Sequence, residues 1–389
     1  EEAEHKGMKV FVPREFESAV ENLMRYFSGV GAELRKLTAM LGETRLQDLV
    51  GRSDLLTQAR EHDRLDLTDL LARVEVAEGI GTRVPALRLS SVGVNSLTEQ
   101  IANEAVLEAA AGGEAVLWQS ESVNSHDRIL GSYLSGSVTR GRRSGDLTKL
   151  QKANLHFHTG SIAGNGLAAY NAAGVHVRVE GGAQDGVGKG AFGGKIIIMR
   201  GLNRHGDRVD GSVGKGLAYG AQRGLFIIQG NADSRAGIRL SGADIVIGGE
   251  VTQPLQDQLG LIGARANIKG FAFEYMTNGR ALVMGDPGPW ICSGMTGGTV
   301  YLRIDASVGL TEDALRRRIA KGAKISLQKL DPVGKKEVEE LLGAYQRELS
   351  RTGQRETVEH VARLLEHPER HFLMVKPGAG QTDQDIATE

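Results

Sequence analysis

One short phrase recurs between Gly160 and Val300: a glycine cluster, a few apolar or β-branched residues, then glycine again. The apolar cores read Val175-His-Val-Arg-Val179, Ile196-Ile-Ile198, Leu225-Phe-Ile-Ile228, Ile245-Val-Ile247, Ala281-Leu-Val283 and Val300-Tyr-Leu302. Their centres near residues 177, 197, 227, 246, 282 and 301 give steps of 20, 30, 19, 36 and 19. The step of 36 reads as two coils of 18, and the step of 30 contains a polar insertion at 200–212. A sustained period near 19 with one short strand per repeat is the signature of a β-solenoid. Each core is too short to close a domain alone, so the strands must stack in parallel and share their inward side chains along an axis. The turns between them must be tight, which suits glycine. The segment holds 32 of the chain's 53 glycines but only three of its eight prolines, Pro254, Pro287 and Pro289, so it is not a low-complexity linker. The expected fold is mainly β: a right-handed parallel β-helix flanked by N- and C-terminal α-helices. A single twisted sheet is the alternative.

Helical periodicity brackets the repeats. Phe16, Val20, Leu23 and Phe27 form a stripe that Val30, Leu34, Leu37 and Leu41 continue after Gly29 and Gly31, with Gly42 ending a second helix. A short third helix is expected at 47–50, and 55–88 reads as an irregular, charged crossing segment. A helix over 97–111 closes on Gly112-Gly113, followed by a strand at 115–118 and a small helix near 129–138. Beyond the repeats, 311–320, 335–350 and 356–366 read as helices, as expected of the caps a solenoid needs.

A length of 389 residues allows two or three domains. With 47 basic and 48 acidic residues the formal charge is −1, and no basic run exceeds Arg142-Arg143 or Arg316-Arg-Arg318. Nucleic acid and anionic membranes are therefore not expected partners. The apolar runs are too short to cross a bilayer. A single cysteine, Cys292, excludes an internal disulfide and suits a reducing cytoplasm. The opening Glu1-Glu-Ala-Glu-His-Lys-Gly7 does not read as a signal peptide, and the absent initiator Met points to a piece of a longer polypeptide.

The sharpest motif is Gly186-Val-Gly188-Lys-Gly190, which with Gly193 satisfies the G-x-G-x-x-G spacing of a dinucleotide site. The expected next element is a strand at 195–199, not the helix whose N-terminus would hold a pyrophosphate. A phosphate-binding P-loop fails as well, because Ala183 stands where its first glycine belongs and Gly190 where Ser or Thr should follow the lysine. Ser212-Val-Gly-Lys-Gly216 recurs 26 residues later, as a structural repeat should. Gly186, Gly188, Gly190, Gly193 and Gly194 are accordingly read as structural turn glycines. His156 and His158 alternate on a strand and face the same way, a possible two-ligand start to a metal site. No cysteine or carboxylate at ligand spacing completes it. Cys292, between Trp290 and Met295, reads as a small buried hydrophobe. No catalytic, cofactor-binding or metal residue is expected in the chain.

Several ordered stretches carry a resemblance. Leu49-Val-Gly-Arg-Ser-Asp-Leu-Leu56, Asp127-Arg-Ile-Leu-Gly-Ser-Tyr-Leu-Ser-Gly136, Thr159-Gly-Ser161, Val179-Glu-Gly181 and Asp185 through Gly190 to Gly193-Gly-Lys-Ile196 come first. Gly220-Ala221, Ser241-Gly-Ala243, Glu274-Tyr-Met-Thr277 and Gly294-Met-Thr-Gly-Gly298 follow. Together, over about residues 15–305, these resemble the C-terminal region of the glutamate synthase large subunit, whose last domain is called GXGXG. The resemblance implies four regions: 1–56 as the helical end of an FMN-binding barrel-type domain, 57–154 as a connecting α/β segment, 155–305 as the GXGXG β-helix and 306–389 as a C-terminal helical extension. It also implies a role in making glutamate from glutamine and 2-oxoglutarate. FMN and a 3Fe-4S cluster would sit in a partner domain and none in this chain.

The implied partners are an FMN/2-oxoglutarate-binding domain or subunit, a glutamine amidotransferase domain or subunit, and an electron-donating subunit or ferredoxin. Such an amidotransferase needs cysteine as its first residue and the cluster needs three cysteines; here residue 1 is Glu1 and Cys292 stands alone. The chain is thus expected to scaffold rather than catalyse, bracing the ammonia tunnel between its partners. The alternative is a stand-alone GXGXG subunit of another oxidoreductase, such as N-methylglutamate synthase or formylmethanofuran dehydrogenase. A third reading, an enzyme using the solenoid groove, would need paired carboxylates on one face. No Asp or Glu recurs at the 19-residue period.

Overall fold

The computed structural model describes residues 16–60, 66–72, 96–111, 115–120, 122–147 and 150–378. The chain divides into two units, Glu1–Val92 and Gly93–Glu389. In the first, the apolar stripe forms one helix, α1 (Phe16–Met40), and not two. Gly29 and Gly31 lie inside it, each costing about 1 kcal/mol relative to alanine, without breaking the hydrogen-bond ladder. Gly42, at φ 83°, ends the helix. Tight 3₁₀ turns follow at Leu46–Leu49 and Ser53–Leu55, then α2 (Thr68–Leu71). Arg52 holds these turns by bonding Glu43 and Asp54. Of the expected crossing segment at 55–88, only 55–60 and 66–72 are among the described residues; the opening Glu1 to Gly7 is outside them.

The second unit starts with α3 (Ser96–Ala110), β1 (Ala115–Ser120) and α4 (Ser132–Ser144). The repeats supply β2 (Lys152–Ala163), β3 (Val175–Ala183), β4 (Phe192–Met199), the short pair β5 (Gly201–Leu202) and β6 (Arg208–Val209), β7 (Arg223–Ile228), β8 (Ser241–Ile247), β9 (Asn278–Val283) and β10 (Thr299–Arg303). Then come α5 (Glu312–Arg316), β11 (Ile325–Lys329), α6 (Pro332–Arg351), α7 (Arg355–Glu366), α8 (Pro368–His371) and β12 (Phe372–Pro377). The result is an α/β fold on a mostly parallel ten-stranded sheet ordered β1-β2-β3-β4-β7-β8-β9-β10-β12-β11. Within this sheet every pairing from β1 to β10 is parallel, including β4 with β7, where Ile196 faces Phe226. Only β12 and β11 join antiparallel.

Three expectations change. The step of 36 is not two coils of 18: β8 pairs directly with β9, Ile245 opposite Ala281, and the extra residues leave the sheet as a loop around 250–266. The insertion at 200–212 folds as the antiparallel β5–β6 hairpin. The helix expected at 311–320 is confined to α5, and 306–389 contributes two strands as well as helices.

The composition of each strand follows from what covers it. On β2 and β3 the pattern alternates, with Leu155, Phe157, Val177 and Val179 inward and His156, His158, His176 and Arg178 outward. From β4 onward both faces are apolar. Ile196, Ile198, Phe226, Ile228, Ile245 and Ile247 fill the interior, while Ile197, Met199, Ile227, Val246, Leu282 and Tyr301 pack under α6 and α7. A strand buried on both faces reads as a continuous apolar run, which is why these cores lack alternation. Leu341, Leu342, Tyr345, Leu349 and Val361 supply the helix side of that layer, at about 1.5–3 kcal/mol for each such side chain removed from water. Polar clamps set its position: Arg178 donates to Glu348 at 2.6 Å, and Arg280 to Asp244 and Glu340 at 2.7 Å.

A second parallel ladder runs beside the sheet. Single bridges join Ala183 to Val213, Val213 to Ala232 and Ala232 to Ile268. At the far end Ile291 bridges Ile319: the Ile291 N–H donates to the Arg318 carbonyl, and the Ala320 N–H returns to Ile291. Arg318, wholly buried, holds this closure by bidentate bonds of 2.8 Å to buried Asp286, and it also reaches Asp257 on the 250–266 loop.

Candidate functional site on the stacked glycine arches

Beside the sheet, the chain repeatedly turns through a five-residue arch whose first, third and fifth residues have left-handed backbone. At 186–190 these are Gly186, Gly188 and Gly190, with φ of 74°, 61° and 64°. The same alternation recurs at Gly166/Ala168/Tyr170, Gly216/Ala218/Gly220, Arg235/Gly237/Arg239, Phe271/Phe273/Tyr275 and Trp290/Cys292/Gly294. Amide bonds lock neighbouring arches in register: Tyr170 N–H to Lys189 O, Gly190 N–H to Tyr219 O, Gly220 N–H to Ile238 O, Arg239 N–H to Glu274 O and Tyr275 N–H to Ser293 O. Gly186 therefore corresponds to Gly216, 30 residues on, and the 26-residue match of Ser212-Val-Gly-Lys-Gly216 is a coincidence of composition. Gly193 and Gly194 are not in a turn. They lie on β4 where its register shifts, and a Cβ on Gly193 would sit 2.6 Å from Ala173 Cα.

The middle residue of each arch points inward: Ala168, Ala218, Phe273 and Cys292 are fully buried, and a Cβ on Gly188 would meet Ile196 and the Phe226 ring. The outer residues point to solvent. Tyr170, Tyr275 and Trp290 are 60%, 55% and 52% exposed, and Phe271, Tyr219, Arg235 and Arg239 are exposed with them. Phe271 stacks on Trp290 at 5.0 Å, and the Lys189 ammonium lies over the Tyr219 ring at 5.4 Å. A left-handed non-glycine residue costs about 1–2 kcal/mol, so the chain holds these rings outward against a local cost.

A family described as "GXGXG motif" matches residues 98–255, the stretch that contains the all-glycine arch. Residues 98–255 of the chain are similar to that family. The chain is similar to ferredoxin-dependent glutamate synthase 2, chloroplastic, of Arabidopsis thaliana, 28% identical over 83% of this chain and 18% of that protein. It is likewise similar to the glutamate synthase [NADPH] large chain of Bacillus subtilis, 29% over 77% and 18%, and to glutamate synthase [NADH] of Schizosaccharomyces pombe, 29% over 74% and 13%. The chain thus spans less than a fifth of the length of these relatives.

The other residues singled out in the sequence do not converge on one site. The His156 and His158 rings lie 4.1 Å apart, tilted by 43°, but turn to different partners, His156 Nε2 to Glu180 at 3.2 Å and His158 Nε2 to Gln119 at 3.0 Å. No group of three His, Cys, Asp or Glu that could hold a metal exists among the described residues. The hydrogen bond from His156, with help from Arg178, holds the Glu180 carboxyl down at about 2. Cys292 sits in the buried inner column, where burial pushes its thiol up to about 12. A thiol held protonated this way is a poor nucleophile and a poor cluster ligand, so the residues present do not fit a 3Fe-4S site. No helix among the described residues is long and apolar enough to cross a membrane.

The exposed aromatics of the arches had no place in the sequence reading. The alternate spacing of Phe271, Phe273 and Tyr275, read against Gly186, Gly188 and Gly190, is the signal that could have found them.

Proposed function

We propose that this chain is the structural part of a glutamate-synthase-like oxidoreductase, a right-handed parallel β-helix that braces an amidotransferase domain and a flavin domain around the path of ammonia. The flavin and the iron–sulfur cluster belong, on this reading, to the partner. The observation that carries it is the arch face: Tyr170, Tyr219, Phe271, Tyr275 and Trp290 exposed in fixed register beside Arg235 and Arg239. Aromatic residues and arginine are the types enriched where proteins dock. The similarity to glutamate synthases supports that assembly over the other oxidoreductases with GXGXG subunits.

The test uses the backbone strain. Tyr275→Gly and Trp290→Gly relieve left-handed backbone while removing exposed rings, so stability should stay within about 1 kcal/mol of the parent. A tagged full chain purified from its source cells should bring down an amidotransferase and a flavoprotein, with glutamine-dependent glutamate formation. The double variant should lose both. A chain that elutes alone, or a complex indifferent to both substitutions, refutes the reading.

A further inference from the structure

A cavity of about 660 Å³ lies apart from the arch residues, between the end of β10, the 304–312 loop, α7 and α8. That volume lies within the range of small-molecule sites. Arg303, His360, Arg363, Arg370 and His371 line it, with Asp305 and Glu312 as its carboxylates.

Three arginines face two carboxylates in the cavity. Arg303 binds Glu250 and, at 2.9 Å, Asp305, and Glu312 is taken by Arg316 at 2.5 Å. Arg363 and Arg370 have no carboxylate within ion-pair distance among the described residues, which leaves two guanidiniums uncompensated at the mouth. Deeper in, the Arg303 side chain is only 9% exposed, yet its Nε has no hydrogen-bond acceptor. Nε2 of His360 is also buried without a hydrogen bond, although Glu250 lies 3.2 Å away. The Arg303 Nε–H left unmade costs about 1–3 kcal/mol, so an acceptor-bearing group is the missing part there. Burial, then the charges of Arg303 and Arg370, hold His371 below its ordinary range against the opposing pull of Asp305 and Glu369.

We propose that this cavity binds a small dianionic oxyanion, a phosphoryl or dicarboxylate group, through Arg363 and Arg370 at the mouth, with Arg303 and His360 at the base. Guanidinium forks suit either group, because both present planar or tripodal oxygens for paired N–H donors. The proposal does not depend on the scaffold reading.

Inorganic phosphate, pyrophosphate and succinate are titrated into the full chain by calorimetry and by thermal melting. One of them should bind saturably and raise the melting temperature. The Arg363→Gln/Arg370→Gln double variant, both positions being exposed, should melt as the parent does without ligand but bind at least about tenfold more weakly. Arg347→Gln removes an exposed charge on α6 outside the cavity and should bind as the parent does. Tighter binding of pyrophosphate marks a phosphoryl ligand and tighter binding of succinate a carboxylate one. Absence of saturable binding of all three by about 10 mM, unchanged affinity in the double variant, or an equal loss in Arg347→Gln overturns the proposal.

Discussion

Replacing Gly188 with alanine isolates what the arch demands of its middle residue. Gly188 has φ 61°, and a methyl there would lie 2.7 Å from Phe226 Cζ and 2.8 Å from Ile196 Cδ1. The left-handed penalty is about 1–2 kcal/mol. Pushing a methyl into a filled core adds about 1–3 kcal/mol, for a loss of about 2–5 kcal/mol. At about 2 °C for each kcal/mol in a large domain, the melting temperature should fall by about 4–10 °C. Ala218 occupies the equivalent place in the next arch, with φ 53° and no exposure. Ala218→Gly gives up one buried methyl, about 0.8 kcal/mol, and relieves a comparable strain, so it should be nearly neutral. Guanidinium unfolding followed by circular dichroism measures both, and titration with ATP and NAD accompanies it. Equal costs for the two substitutions would refute the packing argument. Tight nucleotide binding by the parent that only Gly188→Ala removes would refute the turn reading altogether.

Three further outcomes are expected. Arg318→Met should cost about 3–5 kcal/mol in denaturant unfolding, because it leaves the carboxylate of Asp286 buried without its cation; a loss under about 1 kcal/mol would show that the pair is not needed. Glu180 titrates near 2 in the fold, below the ordinary 4.5 of glutamate, so its contribution is complete above about pH 4.5 and fades as pH falls toward about 2. Glu180→Gln should flatten that part of the stability–pH curve, and an unchanged curve would exclude the His156–Glu180 pair as its source. Cys292 should resist a thiol reagent at pH 8 in the native protein and react at once in denaturant; rapid native labelling would contradict its burial.

The strand cores were legible because a parallel stack asks for one thing repeatedly, an apolar segment flanked by residues that can turn. The alternation on β2 and β3 and the continuous runs on β4 and β7 even separate strands without a helix layer from strands beneath one. The 250–266 loop defeated the spacing argument, since a period records chain length and not whether the chain stays in the sheet. The arch register was hidden for a related reason: only one arch is glycine at all three left-handed places, and Phe271, Phe273 and Tyr275 give no hint by composition that they share its geometry. Ile325-Ser-Leu-Gln-Lys329 alternates and Phe372-Leu-Met-Val375 is an apolar run, so β11 and β12 had signals, but neither follows the 19-residue period. The cavity at Arg303 was beyond the sequence, because its side chains come from β10, the 304–312 loop, α7 and α8, joined only by tertiary packing.

A stack of arches in one register carries no internal instruction to stop. Each arch offers its neighbour the same amides in the same register, so an uncapped final arch would accept a coil from any source, another copy of this chain included. Residues 318–320 occupy that place: the Ala320 N–H donates to the Ile291 carbonyl as the Cys292 N–H donates to Ala272, and the Ile291 N–H donates to the Arg318 carbonyl. Arg318 anchors the plug through Asp286, inside the last turn. Damage at this one arginine therefore opens a templating surface as well as a void. The lesion would surface as end-to-end fibres growing with protein concentration, while the arches behind it remain folded.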